Sequence, residues 1–592
     1  MKQKRTPVAF DIECYRNYFL VVFMTQDGNK MSFKMHNNVL RIEDQKVIHA
    51  ILRENPLVGF NSSNYDIILL SAFLLGYTNE RLKELSDTII VKGVARWQIN
   101  DYFRDLRIKE PTHGHIDLVG VTPLKASLKA YGCRIHSKKL QDLPIEPDAY
   151  ITSEQAAALE AYCENDVQVT WDIYKEMLPE LMLRADMTNT YGMDLRSKSD
   201  AQIAEAIIRH RMEEAGHTVE KRKTEVVPFK YTMPEFIKFE SDVLNHVRNS
   251  VHDCTFRIKD TGSVELPKEI SQVIEFDGAK YKLGIGGLHS QEKKQVVEPK
   301  AGFVLGEYDV ASMYPSIIIG QNLYPEHLGE EFIEVYKEIF TERLDAKRSG
   351  NKTVADTLKI VLNSSYGKFG SKYSFLYSPE LLIQTTLSGQ LALLMLIERV
   401  TAAGVKVVSA NTDGINVLMR IDEKPHIDSI CEQWTKDTTY QLEWTEYLAT
   451  YSESVNSYVA LKPDGGAKTK GLYESGSIRK GYSAQVCNDA VVEYIKNGTD
   501  VEQWIRSETD VRKFLVMRGV RGGAMWRGDE LGKVVRWYYS LGGEPIRYKN
   551  GNKVAGSDSA RPMMDLLNRM PYDLDYQVYV DIANKKIKRL GL

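Results

Sequence analysis

Residues 301–321 read AGFVLGEYDVASMYPSIIIGQ. An apolar run leads to Asp309, small and polar residues follow, and Pro315 sits where the first turn of a helix accepts it. The stretch predicts strand, turn, helix, with Asp309 closing the strand. A lone carboxylate there could simply cap the helix. It becomes a metal ligand only if a second carboxylate meets it, and residues 407–418, VVSANTDGINVL, offer one. Two apolar runs flank Asn411-Thr412-Asp413-Gly414, and Asn, Asp and Gly are the residues that accept the positive φ of a tight hairpin turn. Taken alone this is an ordinary turn; paired with Asp309, its Asp413 is half of a candidate site.

The chain around these stretches has 592 residues, 43% of them hydrophobic, and a net charge of -3. Its length suggests about three to four domains. Without a global positive charge, a nucleic-acid partner would have to be held by local Lys/Arg clusters. The six cysteines show no CxxC or Cys/His pairing, which argues against zinc and against a disulfide framework and fits a reducing cytoplasm. No run reaches the length of a membrane span and no signal peptide precedes Asp11, so a soluble cytoplasmic protein is expected.

Towards the N-terminus, residues 8–23, VAFDIECYRNYFLVVF, read as a strand and its return. Asp11 and Glu13 are two apart, so a strand points both to one face. Two carboxylates sharing a face off an apolar strand are costly unless a cation lies between them. In LVGFNSSNYDIILL (57–70), Asp66 follows an Asn/Ser loop and opens an apolar helix. In LEAYCENDVQVTWDIY (159–174), Tyr162 and Asp166 are four apart on one helical face. His113 and His115 read as loop histidines, since hard Mg²⁺ prefers oxygen. In the middle, EVYKEIFTERLDAKRSG (334–350) is a charged helix with Arg343 and Lys347 on one face. TVADTLKIVLNSSYGKFG (353–370) is a second helix with Lys359, Asn363 and Tyr366 on one stripe.

These motifs, in order, resemble those of known polymerases. DIE, then Asn61-x3-Tyr65-Asp66, then Tyr162-x3-Asp166 resemble the three motifs of DnaQ-like 3′-5′ exonucleases. DVASMYPSII, Lys359-x3-Asn363-Ser-x-Tyr366-Gly and the 407–418 hairpin resemble motifs A, B and C of family B DNA polymerases. The departures are Met313 for Leu, which conserves volume, Asn411 for the first Asp of the hairpin, and Gly414 for Ser. Asn keeps an acceptor oxygen but loses a charge. YKLGIGGLHSQ (281–291) is similar to the family's Y-x-G-G linker, with Gly284 in place of the Tyr. Residues 456–476, with Lys462, Lys468 and Lys470, resemble the basic segment after motif C.

The resemblance implies an α/β plus α+β multidomain chain of small phage type. An RNase H-like exonuclease domain would span 1–185 and a first part of the palm 186–330. Fingers would span 331–375, the second part of the palm 376–475 and a mostly helical thumb 476–592. It implies DNA-directed DNA synthesis with proofreading, using two Mg²⁺ or Mn²⁺ ions per active site. Polymerase metals would be held by Asp309, Asp413 and the main chain of Val310, and exonuclease metals by Asp11, Glu13, Asp66 and Asp166, with Tyr162 orienting water. Ser312, Met313, Tyr314, Arg343, Lys347, Lys359, Asn363 and Tyr366 would bind the dNTP, Tyr314 excluding a 2′-OH. Asn61, Tyr65, Gly286, Gly287, Lys462, Lys468 and Lys470 would contact DNA, and Lys138 and Lys139 could assist the exonuclease. The implied partners are primer-template DNA, dNTPs and a single-stranded 3′ end; the enzyme would act as a monomer, with room for a processivity or single-strand-binding partner. The short spacings around Lys359 favour nucleic-acid priming. The rivals are an exonuclease with a degenerate polymerase half, a non-catalytic DNA-binding replication factor, and an RNA-templated or RNA-making polymerase.

Overall fold

The computed structural model describes residues 6–105, 108, 114–223 and 225–592; His113 lies outside them. Two compact units emerge. One comprises Met1–Ser199, Ser475–Cys487 and Glu502–Val580, the other Asp200–Glu474, Asn488–Val501 and Asp581–Leu592. The segment expected as a single thumb, 476–592, is thus divided between them.

The first unit is built on a five-stranded sheet in the order Lys30–His36, Tyr18–Met24, Val8–Cys14, Leu57–Gly59, His115–Asp117. The first three strands pair antiparallel and the last two are added in parallel. The period-2 alternation of Val8–Cys14 decides where chemistry can sit. Val8, Phe10, Ile12 and Cys14 enter the core shared with Asp66–Leu74. Ala9, and with it Asp11 and Glu13, faces the layer of Ser153–Glu176, whose Leu159, Cys163, Val167 and Trp171 pack on that side. Tyr18–Met24 is buried at every residue because both faces are covered.

In the same unit, residues 516–562 are not helical. Val516–Trp526 and Asp529–Tyr539 form a long antiparallel arm, edged by Arg547–Tyr548 and Ala560–Pro562. The expectation of a mostly helical thumb is therefore corrected. Four glycines, Gly519, Gly522, Gly523 and Gly532, interrupt the alternation that would have marked these strands.

The second unit carries a seven-stranded antiparallel sheet. Phe303–Val310 lies between Leu442–Tyr447 and Gly414–Arg420, and Lys406–Thr412 follows on the far side of the latter. Behind it runs Pro379–Ala402, long and apolar enough to cross a membrane, contrary to the expectation of no such run; 83% of its apolar stretch is buried in this core. Glu331–Arg348 and Lys352–Lys368 form a helical hairpin, as the charge and stripe patterns predict.

Candidate functional site

In the first unit, strand and helices bring four carboxylates into one neighbourhood. Asp66 begins the helix Asp66–Leu74 because the preceding turn is pinned by Asp117. That carboxylate accepts from the amides of Asn61 at 2.8 Å and Ser63 at 2.9 Å, with Asn61 at φ 57°. Ser62 Oγ meets His115 Nε2 at 2.8 Å, so His115 belongs to a buried strand and not to a loop. The Tyr65 hydroxyl is engaged by Ser86 Oγ at 2.9 Å and faces inward; Asn61 is exposed. Burial, then Asp66, Asp166 and Glu13, push Asp11 well above the usual carboxylate range. Burial, then Asp166 and Asp66, push Glu13 up to about 8. Burial raises Asp66 to about 8 and Asp166 to about 6, the latter held down by Lys129 and by a hydrogen bond from Tyr162. Lys129 is the residue that sequence reasoning missed here. Its Nζ lies 5.0 Å from the centre of the Tyr162 ring and 3.2 Å from Asp142.

Anionic oxygens crowded together and buried are a donor set suited to hard divalent ions. Among the described residues no three His, Cys, Asp or Glu side chains converge on one point. The carboxylates thus form an electrostatic cluster, not a finished cage. One consequence is measurable. A carboxyl whose folded pKa is raised keeps its proton to higher pH than in the unfolded chain, so stability declines as pH climbs from about 4 through the folded values of about 6 to 8. In chelator the melting temperature is expected to fall by about 5 °C between pH 5 and 8. Mg²⁺ or Mn²⁺ should restore it at pH 8, and less so in Asp66→Asn. A pH-independent melt with no ion response would contradict the cluster.

In the second unit, Asp309 pairs across the ladder with Gly414, and the amide of Val310 donates to the carbonyl of Asp413 at 2.8 Å. The hairpin turn is Thr412-Asp413, and it is Thr412, not Asn, Asp or Gly, that takes the left-handed conformation, at φ 59°. Gly414 has a different task. A Cβ there would stand 2.8 Å from Asp309 Oδ1 and 2.9 Å from the Tyr308 carbonyl, so glycine is what lets the two strands bring Asp309 and Asp413 together. Gly287, at φ 145°, does the same for Thr412, whose Cα would be 3.0 Å from an added Cβ. Its close approach is to the hairpin; nothing lies within 4 Å of a Cβ on Gly286. Asn411 donates, at a long 3.4 Å, to the Val455 carbonyl and to Asn456 Oδ1. A carboxylate would repel both acceptors, which accounts for Asn at this position.

Around the pair lies a cleft of about 400 Å³ lined by Glu307, Asp309, Asn411, Asp413, Lys468 and Lys470. Burial, then Asp413 and Glu307, raise Asp309 to about 7; burial and Glu307 raise Asp413. Glu307 stands two residues before Asp309 on one strand, the same spacing as Asp11 and Glu13, and that spacing could have found it. Lys468 donates to Glu307 at 2.7 Å and to the Tyr447 hydroxyl at 3.2 Å, so it is an ion-pair partner of Glu307 on the wall of the cleft. Burial and Lys468 lower Lys470. The main chain of Lys462 closes the turn to Gly466.

Ser312, at φ 51°, turns the chain into the helix Met313–Gly320 and accepts from Arg343 at 2.7 Å. The rings of Tyr314 and Tyr366 stack at 3.9 Å with 7° between their planes, and the Tyr314 hydroxyl donates to the Gly286 carbonyl at 2.8 Å. Tyr366 reaches Thr386. Met313 is buried beside Gly389, so its side chain is core and not a ligand contact, a correction. Lys347, Lys359 and Asn363 are exposed on the helical hairpin.

No family model matches the chain. A stretch of 136 residues, 19% of the chain, is 29% identical to DNA polymerase II of Escherichia coli strain K12, of which it covers 17%. A stretch of 227 residues, 32% of the chain, is 27% identical to the DNA polymerase of Archaeoglobus fulgidus, of which it covers 29%. The chain thus spans less than a third of either curated relative. The solved family B DNA polymerase of Pyrobaculum calidifontis aligns over 100% of this chain and 78% of its own, at 15% identity and a TM-score of 0.41, too loose a likeness to carry an argument.

Proposed function

We infer that this chain, one of the family B DNA polymerases by its local identity to DNA polymerase II and its ordered motifs, extends DNA primers on a DNA template and trims their 3′ ends. The observation that carries the reading is the meeting of Asp309 and Asp413 in one cleft, brought about by Gly414. Asp309, Asp413 and the main chain of Val310 would hold Mg²⁺ or Mn²⁺ for synthesis, and Asp11, Glu13, Asp66 and Asp166 would hold it for hydrolysis. Two bound ions would supply Lewis acidity toward the attacking oxygen and charge neutralisation for the leaving group.

The remaining roles belong to the chain's own groups. Arg343, Lys347 and Lys359 would grip the triphosphate, the Arg343–Ser312 bond orienting the guanidinium toward the turn beside Asp309. Tyr162, hydrogen-bonded to Asp166, would orient the attacking water of the exonuclease. Asn61, Gly286 and Lys470 would steady the DNA. A phage origin, nucleic-acid priming and a monomeric enzyme complete the reading.

An end-labelled primer on a DNA template tests it. With Mg²⁺ the primer should lengthen when dNTPs are present and shorten when they are absent; a primer that only shortens would remove the polymerase half of the reading. Tyr314 supplies a finer test. Its ring stacks on Tyr366 and its hydroxyl is bonded to the Gly286 carbonyl, two contacts that would oppose its displacement by a 2′-OH. Tyr314→Ala should raise the relative kcat/KM for ribonucleotides by about 10²-fold. Unchanged sugar discrimination would place the gate elsewhere.

A further inference from the structure

The arm 516–539 of the first unit carries cations that the fold leaves open. Its ladder runs from Val516 opposite Trp537 to Gly519 opposite Val534 and resumes at Ala524 opposite Gly532. Val520, Arg521, Gly522 and Gly523 therefore oppose Lys533 alone, in a wide bulge with Gly522 at φ 85° and Gly523 at φ 94°. Bulges of this kind re-aim side chains beside functional sites. Arg518, Arg521 and Lys533 are exposed, and among the described residues none of their side chains is ion-paired with a carboxylate. Neighbouring cations are paired: Arg527 with Glu544 at 2.8 Å and Lys549 with Glu530 at 2.5 Å.

Independent contacts fasten this bulge to the carboxylate cluster. Asp142 accepts from the amide of Lys533 at 3.0 Å and from Lys129 Nζ at 3.2 Å, and Lys129 lies over Tyr162. Gly532 allows this approach, since a Cβ would stand 2.7 Å from Asp142. The base of the arm is locked by Arg536, fully buried, which donates to the carbonyls of Ser137, Met563 and Met564 at 2.9, 2.8 and 3.1 Å. The amide of Leu140 donates to the Met564 carbonyl at 2.9 Å and that of Leu566 to the Lys138 carbonyl at 2.7 Å.

We propose that Arg518, Arg521 and Lys533 bind the phosphates of a single-stranded DNA 3′ segment and lead it to the Asp11, Glu13, Asp66 and Asp166 cluster. The inference rests on the exonuclease reading above. Phosphate contacts of this kind hold a strand without reading its sequence and are weakened by salt. Arg518 precedes the bulge, Arg521 lies in it and Lys533 faces it from the other strand, and Asp142 holds the Lys533 main chain one contact from Lys129.

The test uses the full chain, an Arg518→Ala/Arg521→Ala variant, an Arg518→Lys/Arg521→Lys variant and a 5′-labelled oligothymidylate. For the Ala variant, KM for strand shortening should rise about tenfold with kcat at saturation within about twofold. The slope of log affinity against log salt, read by fluorescence anisotropy in chelator, should flatten by about 1.4 for two contacts. The Lys variant should keep the slope, and KM for dNTPs on a primed template should not move. An unchanged single-strand KM and slope would overturn the proposal, as would an equal loss confined to duplex primer-template. A wild type that binds the strand through these arginines yet never shortens it would instead remove the exonuclease reading and leave the binding surface standing.

Discussion

Asp413→Ala is expected to lower primer extension by about 10³-fold or more while leaving 3′-end shortening intact. Asp413 is supplied by a two-residue turn whose only other member, Thr412, is fixed against Gly287. Glu307 is already committed to Lys468 and to the Tyr447 hydroxyl, and Glu443 stands opposite Asp309 on the strand away from the hairpin. The loss should come without a loss of stability. Burial and Glu307 disfavour the Asp413 charge, so in chelator the folded chain gains nothing from it and the variant should melt at or above the wild-type temperature. Single-turnover extension rates and thermal melts of the same preparations read both. A variant that extends primers at wild-type rate would mean that the hairpin tip is not part of the active site. A variant that melts well below wild type would mean that Asp413 is structural.

The hairpin also marks how far sequence reading reaches. Strand 303–310 was legible as an apolar run closed by a carboxylate, and helices 153–176 and 352–368 by their helical periodicity. So were the carboxylates, since spacing of two on a strand and four on a helix fixes a common face. Asn411 and Gly414 could be seen only as departures. Their reasons, a carbonyl at Val455 and the backbone of Tyr308, lie 44 and more than 100 residues away in the chain, where no local pattern points. Asp117 and Lys129 were missed for the same reason: the sheet brings Asp117 to the Asn61 turn and helix packing brings Lys129 to Tyr162, and neither is local in sequence. The arm was misread because its bulge and its glycines break the alternation, and its end, Val535–Tyr539, is buried on both faces and carries no alternation at all. The ion pair of Lys468 was out of reach as well, since its carboxylate, Glu307, is 161 residues earlier.

Asp66→Asn is the complementary case, expected to lower 3′-end shortening by about 10³-fold with primer extension unchanged. The substitution keeps the shape of the side chain at the first residue of Asp66–Leu74, so the helix and the Asp117-pinned turn before it should persist. What it removes is one buried negative charge from a cluster in which Asp11 and Glu13 are both raised partly by Asp66. Those two groups should then ionise at lower pH, and the decline of stability toward pH 8 in chelator should shrink. Activity and melting therefore move in opposite directions, a pattern that a merely destabilised variant cannot give. Mismatched 3′ ends supply the readout that links the two activities. The wild type should remove a mispaired terminal nucleotide before extending, and Asp66→Asn should either stall on it or extend it uncorrected. Removal of the mismatch at wild-type rate by Asp66→Asn would exclude this cluster as the nuclease centre.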